Sequence, residues 1–396
     1  MSTQLSRMLY CIVVVFLVAL PKSGFYAGST PIYSLYLIVP VITPILLMLR
    51  LNTPVRQIGP LLRCTLAIAP FWAVWGATAL FIGHENVGYL GGHLFVFILI
   101  PAFFYLLSLL YNERTQATIY RTLTLCIRAV AVFGIISFLN AVLTGDYLNI
   151  PYLTTGGGDD VLSVWQRNNQ RGELFKLVST YNNGNIYGLC MAMLTPLYFR
   201  LEHRSFFKVI LLASMILTLS RTVWLLTVLA LLMTYGQGLT LRRLTALCAS
   251  LVVCSAAAIF LSANYLGGDR FLMDSSLGNR DQFFWMLDEF RLMPQEPISA
   301  ITEIPYLSIY HDFGLIGLAG FALFFISPLL IGNPSPFSLR LLPDLRAVNA
   351  GVLIYLFASL SDSALLFVPS FACYGFLAFL KLSLSRHHER NFPPTP

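Results

Sequence analysis

Residues 306–331 read YLSIYHDFGLIGLAGFALFFISPLLI. Beyond Asp312 the run has no charged side chain. At ~1.5 Å per helical residue it is long enough to cross the ~30 Å hydrocarbon core of a bilayer. It lacks the alternation of apolar and polar positions that marks a membrane β-strand of ~10 residues. Lipid satisfies no backbone groups, so an apolar run of this length is read as a helix.

The same pattern recurs along the chain. Apolar runs fall near 8–26, 31–49, 61–82, 88–111, 122–143, 183–199, 205–219, 221–236, 243–263, 306–331, 346–361 and 364–384, which is twelve. The composition agrees: 57% of the 396 residues are hydrophobic and 11% charged, with a mean hydropathy of +0.73. Soluble domains average about 25% charged residues. The expectation is an all-α, polytopic helical membrane protein, a single integral membrane domain over 1–396 with two long external loops, 144–182 and 264–305. The first run is kept as a helix rather than a signal peptide, because no small-x-small cleavage site follows Pro21-Lys22-Ser23-Gly24.

Lysine and arginine set the orientation. With the N-terminus inside, Arg7, Arg50, Arg56, Arg63, Arg114, Arg121, Arg128, Arg200, Arg204, Lys208, Arg242, Arg243, Arg340, Arg346, Lys381, Arg386 and Arg390 fall inside, 17 of the 25. Six of the other eight lie in the two long loops, where the rule is weak. Both termini are expected inside, and the net charge of +7 is then a matter of topology, not of nucleic-acid binding. Of the acids, only Glu113, Glu202, Asp344 and Glu389 fall inside. Acids contribute little to topology, so their bias needs another explanation, and function on the outer face is one. The seven cysteines lie in or at the ends of apolar runs without CxxC spacing, so neither a disulfide framework nor a zinc site is read.

Chemistry is sought where polarity collects. The first loop contains WQRNNQRGELFKLVSTYNNGN, in which Arg167 and Arg171 offer forks for diphosphate oxygens and Trp165 and Tyr181 offer faces for sugar rings; lipid phosphates are the competing partner. Arg221 stands between two apolar runs, either reaching the headgroups or aimed at an anionic ligand. In 279–290, apolar residues at 283, 284, 287 and 290 predict an amphipathic helix on the membrane surface, with Arg280 near its N-terminus. Arg280 either pairs with Asp281 or another acid, or meets an anion. Arg291 follows. Glu303, His311 and Asp312 precede or enter the next span. An acid and a histidine two turns inside a membrane helix need a polar cavity or a partner, such as an ion pair of Asp312 with Arg221. These three are the candidates for a general base.

The order of these pieces resembles the O-antigen polymerase and O-antigen ligase superfamily of bacterial inner membranes. The matching residues are Asn182-Asn183-x-x-Ile186-x-Gly188, Leu217-Thr218-x-Ser220-Arg221-Thr222, Arg280-x4-Trp285 with Pro294 and Pro297, and Tyr306-Leu307-x4-Asp312-x-Gly314-Leu315-x-Gly317-Leu318. They span Asn182 to Ala319. The resemblance implies a GT-C-like helical fold and a metal-independent glycosyltransferase with no cofactor. Its donor would be an undecaprenyl-diphosphate-linked glycan on the periplasmic face, with Arg221 and Arg280 matching the family's diphosphate-binding arginines. Arg291, Arg167 and Arg171 are added on charge and placement alone. A chain-length regulator and a flippase are the implied partners besides the bilayer. Two departures stand out. The usual Gly-x-Gly after the proline is replaced by Ile298-Ser299-Ala300, and the His-Asn pair of ligases is replaced by Glu303-Ile304. The second favours a polymerase over a ligase. Transport and a structural role in an assembly complex are the readings from other classes. Mid-span positions are largely apolar, which weighs against transport.

Overall fold

The computed structural model describes residues 3–27, 30–50, 55–148, 150, 152–153, 169–171, 174–235, 281–299, 301, 304–331, 343–360 and 368–391. The expected span near 243–263, Arg167, Arg280, Glu303 and parts of both long loops, 154–168 and 264–280 among them, lie outside the described residues.

The described chain is mostly helical. In order the α-helices are α1 (Thr3–Val14), α2 (Ser34–Arg50), α3 (Val55–Phe81), α4 (Val87–Leu94), α5 (Ile100–Ser108), α6 (Glu113–Thr144), α7 (Gly184–Leu201), α8 (Ser205–Ile216), α9 (Arg221–Tyr235), α10 (Pro305–Leu330), α11 (Pro343–Ser359) and α12 (Val368–Asn391). A π-helical turn, Phe95–Leu99, joins α4 and α5 into one continuous element. Among the described residues three elements are long and apolar enough to cross a membrane: Val87–Ser108, Glu113–Thr144 and Pro305–Leu330. They correspond to the expected runs 88–111, 122–143 and 306–331. Five further apolar helices are shorter.

Two small antiparallel hairpins accompany the helices. Strand β1 (Gly24–Ala27) pairs with β2 (Thr30–Tyr33), and β3 (Gln170–Arg171) with β4 (Leu174–Phe175). The first hairpin shortens an expected span. The run 8–26 leaves helix at Ala19. Pro21, which lacks an N–H, and the Thr-Pro-Ile-Tyr strand then favour turn and extended backbone.

The chain forms two compact units. The first comprises Met1–Leu9, Leu37–Ala117 and Arg280–Pro396. Its core is aromatic: Phe71 of α3 meets Phe313 and Phe321 of α10 edge-on, at 5.7 and 5.4 Å between centroids, and Tyr355 of α11 stacks on Tyr374 of α12 at 4.5 Å. Lys381 of α12 is fully buried and donates to the last carbonyls of α10, those of Pro328, Leu329 (3.0 Å) and Ile331 (3.2 Å). A cation there also meets the negative end of the helix dipole.

The second unit comprises Tyr10–Tyr36 and Thr118–Asn279. Helix α7 is almost wholly buried in it. Asn183 caps α7, its side-chain oxygen accepting from the N–H groups of Asn185 and Ile186. Gly188 lets α9 approach closely: a Cβ there would stand 2.4 Å from Val223 Cγ2. After α7, the carboxylate of Glu202 accepts from Arg128 Nε at 2.5 Å and Nη2 at 2.8 Å, from Tyr198 Oη at 3.2 Å and from the Arg204 N–H at 2.8 Å. The hydrogen bonds from Arg128 hold this carboxyl well below the usual range, at about 2. Its contribution to stability is therefore complete above about pH 4.5 and is lost as pH falls towards 2. Glu202→Gln is expected to cost about 1–2 kcal/mol near neutral pH, a value reduced by the solvent that reaches Arg128. Thermal melts in detergent should show the gap to wild type closing between pH 4.5 and pH 2.

Candidate functional site

In the first unit the segment 288–299 runs alongside the opening turns of α10. Its backbone is tied there by a break in the helix. Gly314 has φ 66° and ψ −172°, a conformation open to glycine and to few other residues. The N–H groups that would have continued the ladder turn outward: Leu315 donates to the Arg291 carbonyl at 2.8 Å and Ile316 to that of Leu292 at 3.2 Å. A Cβ on Gly314 would meet the carbonyl oxygens of Leu292 and Met293 at 2.8 Å. On its other side, Ile298 pairs with the α3–α4 loop, its N–H donating to Gly83 and its carbonyl accepting from Glu85.

This placement answers what Asp312 and His311 need inside an apolar helix. Asp312 is 1% exposed. One of its oxygens accepts the Ser299 N–H at 2.9 Å, and the Ser299 hydroxyl lies 3.0 and 3.1 Å from the two oxygens. His311 Nδ1 is 3.0 Å from Asp312 Oδ1. With the carboxylate accepting, Nδ1 is the donor of this pair, which in a neutral imidazole leaves the lone pair on Nε2. Nε2 has no hydrogen-bond partner among the described residues. The ring of Trp285 lies edge-on to the imidazole, 5.2 Å between centroids.

Arg291 is buried in the same cluster. Its N–H donates to Tyr310 Oη at 2.9 Å, and that hydroxyl donates to the Glu289 carbonyl at 2.9 Å. Its guanidinium meets Glu289 at 2.9 Å, Glu296 at 3.4 Å and the His311 carbonyl at 3.3 Å. The buried Nε–H has no acceptor among the described residues.

The amphipathic helix expected over 279–290 is not formed over the described part. Residues Asp281–Leu287 make a 3-10 helix. Met286 turns inward, while Phe284, Trp285, Leu287 and Phe290 face out. The 283/284/287/290 spacing assumed 3.6 residues per turn, whereas a 3-10 turn repeats at three.

Arg221 belongs to the second unit, half-buried at the first position of α9, after Leu219 at φ 50° and the buried Ser220. Arg171 lies in β3 of the same unit. The cluster in the first unit thus brings together His311, Asp312 and Arg291. Sequence reasoning missed Ser299 and Tyr310. Ser299 falls on the variable middle position of the Gly-x-Gly that Ile298-Ser299-Ala300 replaces, so the resemblance carried no signal for it.

The sequence matches no protein-family model and no curated protein.

Proposed function

We propose that this protein is a Wzy-type polysaccharide polymerase, a membrane glycosyltransferase that joins undecaprenyl-diphosphate-linked oligosaccharide repeat units on the periplasmic face of a bacterial inner membrane. The observation that carries the reading is the His311–Asp312–Ser299 arrangement at the head of a membrane helix. It supplies an oriented imidazole with an open Nε2.

In the reaction an acceptor sugar hydroxyl attacks the anomeric carbon of the donor glycan. The new C–O bond forms as the bond from that carbon to the phosphate oxygen breaks. The hydroxyl proton passes to His311 Nε2, and the leaving group departs as undecaprenyl diphosphate. Asp312 keeps the imidazole in the receptive tautomer and balances its gained charge. Arg221 and Arg280 are the arginines that the resemblance assigns to the diphosphate. Its developing charge is what cationic donors stabilise most. Arg291 holds the segment that carries Ser299. Glu303, Arg167 and Arg171 remain candidates from sequence. Both termini are cytoplasmic in this reading, and a chain-length regulator and a flippase are its partners.

The break at Gly314 is the observation that favours the rival reading of transport, since transporters bind ions and substrates at broken helices. Against it, the amides freed by the break are already taken by Arg291 and Leu292.

Purified protein would be given the synthetic undecaprenyl-diphosphate repeat unit of its own polysaccharide locus, without nucleotide sugar. The expected product is a ladder of lengths, abolished by Arg280→Ala and by Arg221→Ala. Transfer only to a supplied second acceptor would make the protein a ligase. Neither product from folded protein would move transport to the front.

A further inference from the structure

The strip 284–293 mixes open aromatic rings with open polar groups. Phe284, Trp285 and Phe290 are exposed, Phe290 at 77% and Trp285 at 54%. Asp288 and Glu289 between them are exposed as well. The backbone N–H groups of Glu289, Phe290, Leu292 and Met293 have no partner among the described residues. Nor does the indole N–H of Trp285. Polar groups left open in this way belong in water, where a ligand can meet them.

Charge narrows the ligand. Over 284–296 the carboxylates of Asp288, Glu289 and Glu296 stand against the single guanidinium of Arg291. An anion is therefore repelled. Arg291 already pairs with Glu289 and Glu296, which leaves one carboxylate, that of Asp288, for a cationic partner. A neutral ligand with both apolar faces and many hydroxyls fits best. A pyranose ring is one. Its C–H bonds turn a faintly positive face to the negative face of an aromatic ring, and its hydroxyls both give and accept hydrogen bonds.

Position selects the ring. The Trp285 centroid is 5.2 Å from that of the His311 imidazole, with the planes at 76°. The two rings do not stack, so the indole keeps an open face beside the open Nε2.

We propose that Trp285 is a sugar platform: a neutral pyranose of the acceptor glycan lies on its indole and presents a hydroxyl to His311 Nε2. The Asp288 carboxylate and the open N–H groups of 289–293 bond the hydroxyls of this sugar and its neighbours. The role as acceptor site rests on the polymerase reading; the binding of sugar does not.

The test uses short fragments of the source cell's own surface polysaccharide, freed of lipid and diphosphate by mild acid, and full-length protein in nanodiscs. Irradiating aromatic protons of wild type should transfer saturation to C–H protons of the fragments. Trp285→Leu keeps apolar bulk without a π face, and should weaken fragment binding about tenfold. Trp285→Tyr should recover part of the loss. In the polymerase assay Trp285→Leu should raise the KM for a supplied acceptor fragment about tenfold and leave kcat nearly unchanged, whereas a merely structural prop for His311 would lower kcat. Equal binding by wild type and Trp285→Leu would overturn the proposal, as would no saturation transfer from wild type, a result that needs no variant to fold. Fragments held through Trp285 with no ladder formed would sink the polymerase reading and leave the platform standing.

Discussion

His311→Ala is expected to reduce polymer formation about 10²–10⁴-fold, the span that a positioned proton acceptor contributes. The loss should appear in the turnover rate and leave the apparent affinity for lipid-linked donor unchanged, because in the proposed mechanism the imidazole meets only the acceptor hydroxyl. Asp312→Asn is the informative companion. An amide at that position donates to Nδ1 and drives the proton to Nε2, so the ring remains in place in the wrong tautomer. Its rate should fall nearly as far as that of His311→Ala, although the imidazole is intact. Ser299→Ala, which removes one hydroxyl while the backbone N–H still holds the carboxylate, should cost much less. Wild-type rates in His311→Ala protein would remove the imidazole from the chemistry and return attention to Glu303.

Gly314→Val is expected to be the most damaging substitution for the fold of the first unit. The backbone there has φ 66° and ψ −172°, a region open to almost no residue but glycine. A Cβ would also press on two carbonyl oxygens at 2.8 Å. Strain and overpacking together should cost about 3–5 kcal/mol. Two outcomes are expected in detergent: a clear fall in melting temperature, and faster hydrogen exchange at Leu315 and Ile316, whose amides depend on the 291–292 carbonyls. Melting and exchange identical to wild type would show that α10 tolerates a continuous helix and that the break is dispensable.

The sequence made the helical, membrane-type character of the chain legible because apolar run length is a local property. The runs 88–111, 122–143 and 306–331 reappear as Val87–Ser108, Glu113–Thr144 and Pro305–Leu330. It also marked His311 and Asp312 as needing a partner, since charge in an apolar run is locally visible. The partner itself was not legible. Ser299 lies 13 residues away in sequence, on a segment tied to α10 by the amides of Leu315 and Ile316 beyond the break at Gly314. Nothing in a one-dimensional pattern separates a glycine that breaks a helix from one such as Gly317 that stays within it. The 3-10 geometry of Asp281–Leu287 escaped as well, because apolar residues at 283, 284, 287 and 290 fit a period of 3.6 and the segment repeats at three.

The buried lysine of α12 bears on how the protein is made. A bare ammonium at such a position is costly to place in lipid. Its three carbonyl acceptors belong to the end of α10, 53 residues earlier in the case of Pro328. A chain threaded into the membrane from its N-terminus has therefore already delivered the acceptors when the lysine emerges. The last helix settles as a latecomer against a finished neighbour. Moving its coding segment ahead of α10 would strand the charge and leave the protein to quality control, with every contact of the mature fold still encoded.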